Sequence, residues 1–546
     1  MYVVVILSGY SFIVLYLELV EWRLDVMFLR RILLLIFSQT AYSARILGLF
    51  PFPGLSHQKS FDPLMIALAK KGHNVTVATF FPLNEKPDNY EEVSLESLGV
   101  LRLEMLNIGK YENPSGIYRV PFVGNIIDQV NQLTYYGNVG FEICKKIVKY
   151  SPFIEKMKFQ YDLVITEHFI SECMMGLLQA FNITVPVIGM SSCSALPWTY
   201  SEMGAENNPS FVPMVTTSFS SQMIFAQRVE NTIIKLMSMW HRRNFIEKEK
   251  NFIEDFYQKK INHFYYNLIF LNAFNVLHGV KPQVPGLIEI GGIHLEPSKK
   301  QLPDHIAKFV NESTDGVIIF SLGSQTKSTS LSEKKQNMLI NVFSKLKQRV
   351  IWKYASSAEN GTFLGNNILK IKWMPQLDLL QHENVKAIIC HGGNLGMIEA
   401  IYAGKPMVLI PILADQRSNS AAAKQAGVAE VLSLKDFDDQ DLTNAIHYVL
   451  SKDVQEKASE VSQSWRERES SPLDTAVFWT EKVIRWGHKL QLHSQSRDLP
   501  LYQYLLIDIM AFLSVSLILT IASILFILKL ILIPVRSYMY SKVKLQ

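Results

Sequence analysis

Short, unbroken apolar runs recur along the chain, separated by stretches whose apolar positions follow helical spacing. In the first half the runs are RILGLF (45–50), NVTVATF (74–80), DLVITE (162–167) and VPVIGM (185–190). In the second half they are VIIFSL (317–322), VIWKY (350–354), AIICH (387–391) and MVLIP (407–411). A strand that is apolar throughout, rather than at alternate positions, is covered on both faces, as in a parallel sheet. The intervening stretches, such as 62–71 and 332–345, read as crossover helices. The pattern predicts an α/β chain of two doubly wound domains in series, divided near the Pro-, Gly- and Lys-rich GGIHLEPSKKQLP (291–303). In such sheets ligands bind beyond the carboxyl ends of strands, so residues just after strands are the first candidates for chemistry.

The two ends are more apolar than the rest, which accounts for a chain that is 48% hydrophobic. MFLRRILLLIFSQTAYSA, starting at Met27, has a basic start, a short apolar core and small residues at Ser43 and Ala44. It reads as a secretory leader cleaved near Ser43 or Ala44, with residues 1–26 an upstream extension and Met27 the start. Near the other end, 509–528 is uncharged and bounded by Asp508 and Lys529. About 20 helical residues span roughly 30 Å, the thickness of a bilayer core. The segment after it carries Lys529, Arg536, Lys542 and Lys544 and no acid, which places it in the cytosol and the preceding chain in the lumen. The closing KVKLQ (542–546) has the lysine spacing of a dilysine signal that returns single-pass type I proteins to the endoplasmic reticulum. This tail supplies most of the net charge of +5, so nothing points to nucleic acid. The four cysteines, at 144, 173, 193 and 390, form no CxxC pair and predict neither a zinc site nor a disulfide scaffold. Sequons at Asn74, Asn182, Asn311 and Asn360 are compatible with a lumenal chain.

Candidate chemistry clusters after the strands of the second half. In CHGGNLGMIEA (390–400), His391 and two glycines separate a strand from a helix expected near Leu395. A helix start offers unpaired N–H groups and partial positive charge, and glycines let a ligand approach the backbone, so a diphosphate is the natural guest of His391 and Gly393. Glu399, a helical turn in, suits two ribose hydroxyls. Upstream, WMPQLDLLQH (373–382) offers Trp373 to stack on a base and Gln376 to read its edge. Downstream, Asp415 and Gln416 follow a strand and suit the hydroxyls of a hexose.

This ordered set resembles the signature of the UDP-glycosyltransferases, in the membrane-anchored animal branch that includes the glucuronosyltransferases. FSLGSQ (320–325), the segment 207–231, SPLDTAVFWTEKVIRWGH (471–488) and RDLPLYQYLLIDI (497–509) extend the resemblance. It implies the GT-B fold, two facing Rossmann-like domains, plus a C-terminal transmembrane helix. Residues 1–44 would be extension and leader, 45–295 the acceptor-binding domain, and 296–490 the UDP-sugar domain with a crossover helix. The segments 491–508, 509–528 and 529–546 would be juxtamembrane, transmembrane and cytosolic. By position, Trp373 and Gln376 would hold uracil, Glu399 the ribose, Ser324, His391 and Gly393 the diphosphate, and Asp415 and Gln416 the sugar. Asn394 is a candidate stand-in for a phosphate-binding asparagine that many vertebrate relatives carry where this chain has Leu395. Lys353 stands where those relatives often have arginine.

The resemblance also points to His57, in PGLSHQKSFDPLMIALAKKGHNVTV (53–77), as the catalytic base. Imidazole takes a proton from a hydroxyl near neutral pH, and the oxygen then displaces UDP with inversion. A carboxylate should orient it; Glu167 has the matching position and Glu172 is the rival. DFDDQD (436–441) contains the Asp-x-Asp of metal-dependent transferases of another fold, but here it precedes an amphipathic run and reads as a helix cap, at Asp439 or Asp441. No metal and no cofactor beyond the UDP-sugar co-substrate is expected. The implied activity is hexosyl transfer from a UDP-sugar, UDP-glucose ahead of UDP-glucuronate, to a small lipophilic acceptor with an apolar wall from segments such as 211–225. A non-catalytic membrane protein that binds a sugar nucleotide is the alternative. Homo- or hetero-oligomer formation is left open.

Overall fold

A computed structural model describes residues 43–543, except 100–105, 121, 171, 263–264, 296–300, 355 and 357–360. Residues 1–42 of the leader and extension expected over 1–44, the core of the expected connector, Asn360 and 544–546 of the dilysine-spaced tail lie outside the described residues. The first half holds β1 (Arg45–Phe50), β2 (Asn74–Thr79), β3 (Tyr90–Ser94), β4 (Leu106–Asn107), β5 (Leu163–Glu167), β6 (Val187–Ser191), β7 (Leu268–Leu271) and β8 (Leu287–Glu289). All but β4 form one seven-stranded parallel sheet, in the order β3-β2-β1-β5-β6-β7-β8. The second half holds β9 (Val317–Ser321), β10 (Thr326–Lys327), β11 (Arg349–Lys353), β12 (Thr362–Leu364), β13 (Ile368–Ile371), β14 (Val385–Cys390), β15 (Met407–Leu409) and β16 (Ala429–Val431). Its sheet runs β12-β13-β11-β9-β14-β15-β16, parallel except for β12. Structure and pattern agree because the central strands are apolar on both faces: every residue of β9 and β5 is buried.

The domains are not cleanly sequential. β4 leaves the first sheet and pairs in parallel with β10 of the second half. Just after it, Ile108 is fully buried in the second half's core, and its N–H donates to Ser330 Oγ at 2.8 Å. The helix Pro472–Trp486 returns the other way and places Ala476 and Val483 in the first half's core beside Phe61 and Leu64 of the helix Leu55–Lys70.

His57 lies in the first turn of the helix Leu55–Lys70. Two local expectations are corrected. The DFDDQD helix is capped one residue earlier than expected: Asp438 accepts from the N–H groups of Gln440 and Asp441, because a cap must precede the donors it serves. Cys144 and Cys173 form a disulfide, since folding brings the end of the helix Val123–Ile147 against the start of the helix Glu172–Ala180. Near the C-terminus a single apolar helix runs Ile507–Val543, past Lys529 and through Pro534. It is long and apolar enough to cross a membrane.

Candidate active site

In each sheet the strand order reverses beside the first strand, between β1 and β5 in one and between β9 and β14 in the other. A doubly wound sheet opens a crevice at the carboxyl end of that switch point. His57 follows β1 and Glu167 ends β5; Ser324 follows β9 and His391 follows β14. The topology therefore gathers each candidate pair at its own crevice.

On the first-half side, Pro51, Phe52, Pro53 and Gly54 turn the chain from β1 into the helix. A Cβ on Gly54 would lie 2.5 Å from the Phe52 ring, so glycine lets that ring fold back to 4.4 Å from the imidazole of His57. His57 Nδ1 stands 2.6 Å from Glu167 Oε1, and Glu167 Oε2 accepts from Phe52 N–H at 3.3 Å. Glu172, the rival, is instead ion-paired with Arg242. A carboxylate only accepts, so Nδ1 carries the proton and Nε2 the lone pair, as a base toward an acceptor hydroxyl requires. The rings nearest His57 are Phe52 and Phe169, with Tyr136 5.6 Å from Phe169. The wall expected from 211–225 is only partly turned inward: Val212, Met214 and Val215 are buried, whereas Phe211 and Phe225 are exposed.

On the second-half side, the His391 ring is wedged between two glycines. A Cβ on Gly323 would lie 2.5 Å from its Cε1, and one on Gly393 2.5 Å from its Nε2. Gly392 has φ +77°, and a Cβ there would meet Ser420 Oγ at 2.5 Å. These glycines are thus required by internal packing as well as by any ligand. Burial, with Lys353 nearby, pushes the His391 pKa down to about 4, so the ring is a neutral N–H donor. Its buried Nδ1 has no hydrogen-bond partner among the described residues. Gly393 caps the helix Asn394–Tyr402, whose first N–H groups face the same crevice end.

Trp373 is 61% exposed, as a stacking platform must be. Gln376, expected to read the base edge, donates to Glu399 Oε2 at 2.6 Å. Burial raises the Glu399 pKa to about 7. Asn419 holds Asp415 by a 2.9 Å hydrogen bond, while Gln416 Oε1 accepts from the N–H groups of Ile412 and Leu413 and braces the loop. Ala414 holds φ +53°, a left-handed conformation rare without glycine, while Gln132 of the facing domain accepts from its N–H at 3.0 Å. The Arg417–Asp128 pair, 2.7 Å, and the Ser418 hydroxyl on Val215 O, 2.6 Å, fix the same loop to the first half. These three contacts flank Asp415, so the two crevices face one another.

Asn394 does not turn to the donor side. Both ends of its amide bind the first half, at Ser192 O, Asn272 O and His278. Three further side chains lie beside the candidates, of which only Lys353 was singled out from the sequence. Lys353 donates to Gly323 O at 2.7 Å, which brings a cation beside His391. Lys59, two residues after His57, lies 5.3 Å from the Trp373 ring centre. His294 lies 3.9 Å from Glu399 with both ring nitrogens unpartnered among the described residues.

Comparison with known proteins gives a concordant result. The "UDP-glycosyltransferase UGT5" of Dactylopius coccus is 34% identical over 485 residues, covering 87% of this chain and 90% of that protein. The "UDP-glucosyltransferase 2" of the same insect is 32% identical over 504 residues, 91% and 94% of the two chains. The human "UDP-glucuronosyltransferase 2B7" is 29% identical over 485 residues, 84% and 88%. Among solved structures, the glycosyltransferase VinC in complex with DTDP matches with a TM-score of 0.53 at 16% identity, covering 81% of this chain and 99% of that one, a likeness of fold. The model of the family "UDP-glucoronosyl and UDP-glucosyl transferase" matches residues 50–544, nearly all of the chain whose two crevices have just been described. With two Rossmann-like sheets, the His57–Glu167 pair at the crevice of one and His391 at that of the other, this chain belongs to the UDP-glucoronosyl and UDP-glucosyl transferase family and is a UDP-glycosyltransferase of the GT-B fold.

Proposed function

We propose that the chain transfers a glucosyl group from UDP-glucose to a hydroxyl of a small lipophilic acceptor, with His57 as base and Glu167 as its orienting carboxylate. The observation that carries the reading is the 2.6 Å His57–Glu167 pair at the crevice of the first sheet, with the loop that holds Asp415 fixed to the same half. The acceptor hydroxyl gives its proton to Nε2, its oxygen bonds to the anomeric carbon, and the bond to UDP breaks with the electron pair leaving on the diphosphate. Ser324, His391 and the N–H groups after Gly393 would receive that charge, with Lys353 adding a cation. Trp373 would stack on uracil, Glu399 with Gln376 would take the ribose hydroxyls, and Asp415 and Gln416 the hexose.

A neutral sugar is favoured because carboxylates, Glu167 beside His57 and Asp415 on the facing loop, line the proposed sugar side, and Arg417 of that loop is already paired with Asp128. UDP-glucose and UDP-glucuronate, offered side by side to full-length protein in membranes with a panel of phenols, test this. UDP release with UDP-glucose is expected to exceed that with UDP-glucuronate; the reverse order rejects the donor assignment.

Glu399 adds a pH dependence. Its carboxyl must be ionised to accept from two hydroxyls, and burial holds its pKa at about 7. UDP affinity is therefore expected to weaken as pH falls below about 7, approaching tenfold per unit, and Glu399→Gln should flatten the slope. Equal UDP affinity at pH 6 and pH 8 in the unaltered protein counts against this role.

The apolar helix Ile507–Val543 anchors the chain to a membrane. The disulfide, the sequons and the basic, dilysine-spaced tail support a lumenal, type I arrangement in the endoplasmic reticulum.

A further inference from the structure

We infer that Asn394 is a positioning residue that ties the donor-side helix to the catalytic histidine across the domain interface, with His278 fixing its orientation. Asn394 opens the helix Asn394–Tyr402 and is 6% exposed. Its Nδ2 donates to Asn272 O at 2.7 Å and to Ser192 O at 3.1 Å, both in the first half. Its Oδ1 lies 3.0 Å from His278 Nε2. Two carbonyls accept only, so the NH2 must face them and Oδ1 must face the imidazole. His278 therefore carries its proton on Nε2, and its Nδ1 lone pair accepts from Phe274 N–H at 3.2 Å. Burial, reinforced by Lys281, holds His278 neutral at about 4, in keeping with a single N–H. Every polar atom of the Asn394 amide is thus satisfied by the facing domain.

The far side of this latch is the base. The Ser192 hydroxyl lies 3.1 Å from His57 Nδ1, beside the Glu167 contact. The side chain of Asn272 donates to Ser192 O and to Ser60 Oγ, 3.2 Å each, and Ser60 belongs to the helix that carries His57. Asn272 Oδ1 also accepts from Gly292 N–H, 3.1 Å, where the chain starts to cross between halves. One buried network therefore joins the donor-side helix start, the strand ends after β6 and β7, and the His57 helix. Seating of the donor helix and placement of the base are linked through Asn394 and Ser192.

The inference rests on His57 being the base, and the two fail separately: wild-type turnover by His57→Ala would sink the base assignment before any latch variant is read. With full-length protein in membranes, Asn394→Ala, Ser192→Ala and the double variant are compared for kcat, KM for UDP-glucose and binding of UDP. Asn394→Ala is expected to lower kcat about tenfold to a hundredfold, with UDP affinity and KM within about twofold, since misplacement rather than lost binding is at issue. Adding Ser192→Ala should cost little more, because both act on one path. A rise in KM with kcat unchanged makes Asn394 a donor ligand and overturns the inference; so do losses that multiply in the double variant. Should Asn394→Ala not accumulate, His278→Gln, which keeps an N–H toward Oδ1, is expected to retain more kcat than His278→Phe. Equal loss in those two overturns the orienting role.

Discussion

Replacing His57 with alanine is expected to lower kcat by about 10²–10⁴-fold while leaving UDP binding unchanged. The size follows from what the side chain does. Without a base, the attacking hydroxyl must lose its proton to solvent in a cleft flanked by Phe52 and Phe169. Binding is spared because the donor candidates stand on the other sheet, after β9 and β14. Glu167→Gln should cost nearly as much. Glutamine keeps the volume at a position whose side chain is 2% exposed, but its amide NH2 can turn toward Nδ1 and favour the tautomer with the proton on Nε2. Substrate-saturated turnover, measured beside UDP binding on the same preparation, checks both. If either variant keeps near-wild-type kcat, or if both lose UDP binding, the dyad is misassigned.

The largest stability effect is expected at Arg242, far from the chemistry in sequence but behind it in space. Its guanidinium pairs with Glu172 and with Glu202, the latter at 2.8 Å, and lies 4.3 Å from the Trp198 ring centre. It also donates to Phe169 O, and the Phe169 ring lies 5.4 Å from His57. Glu202 is shared with His168 at 2.6 Å, whose side chain is fully buried, and Glu249 accepts from Cys173 N–H nearby. Arg242→Ala removes the cation that the largely buried Glu172 and Glu202 share, a loss of about 3 kcal/mol. For domains of this size that is on the order of 10 °C in Tm.

Its pH dependence has a definite sign. Burial alone would raise the Glu202 pKa, but His168 and Arg242 outweigh it and hold it near 2. In the unaltered protein the stability from Glu202 is present above the ordinary value of 4.5 and lost as pH falls from there toward 2. Without Arg242 only His168 opposes the effect of burial on Glu202, so the variant has less of this stability to lose as pH falls from 4.5 toward 2. The penalty should therefore shrink over that interval. A thermal-unfolding difference that is small at pH 7, or that grows on acidification, contradicts this account.

How far the sequence carried the molecule depends on whether a feature is local. β1 was legible residue for residue, and β2, β5, β9 and β14 to within two residues, because unbroken apolar runs satisfy a strand covered on both faces. The short edge strands β3, β8, β12 and β16 were not, since half-exposed strands of three to five residues lack such a run. The donor-side candidates other than Ser324 could be proposed together because they fall within one stretch, 373–416, after consecutive strands. The long helices Val123–Ile147 and Phe225–Tyr257 carry their meaning in partners rather than pattern: the first supplies Gln132 and Asp128 to the second half, the second supplies Arg242 to a buried ion cluster.

By itself the sequence determined two parallel sheets, the residues placed just beyond their strands, and an apolar segment able to cross a membrane. These follow from spacing along the chain. The tertiary structure decided which of those residues act together. Glu167 rather than Glu172 reaches His57 over 110 positions because β5 pairs with β1, so the register that sets Thr166 opposite Leu49 fixes the carboxylate beside the imidazole. Cys144 meets Cys173 because two helices pack. Asn394 turns from the phosphate-side role its neighbours suggested to a contact 202 positions away at Ser192. The physical reason is that a strand or helix is specified by its own side chains, whereas a partner is specified by how the elements register and pack and, for Asn394, by which buried polar groups remain to be satisfied once the halves have closed on each other.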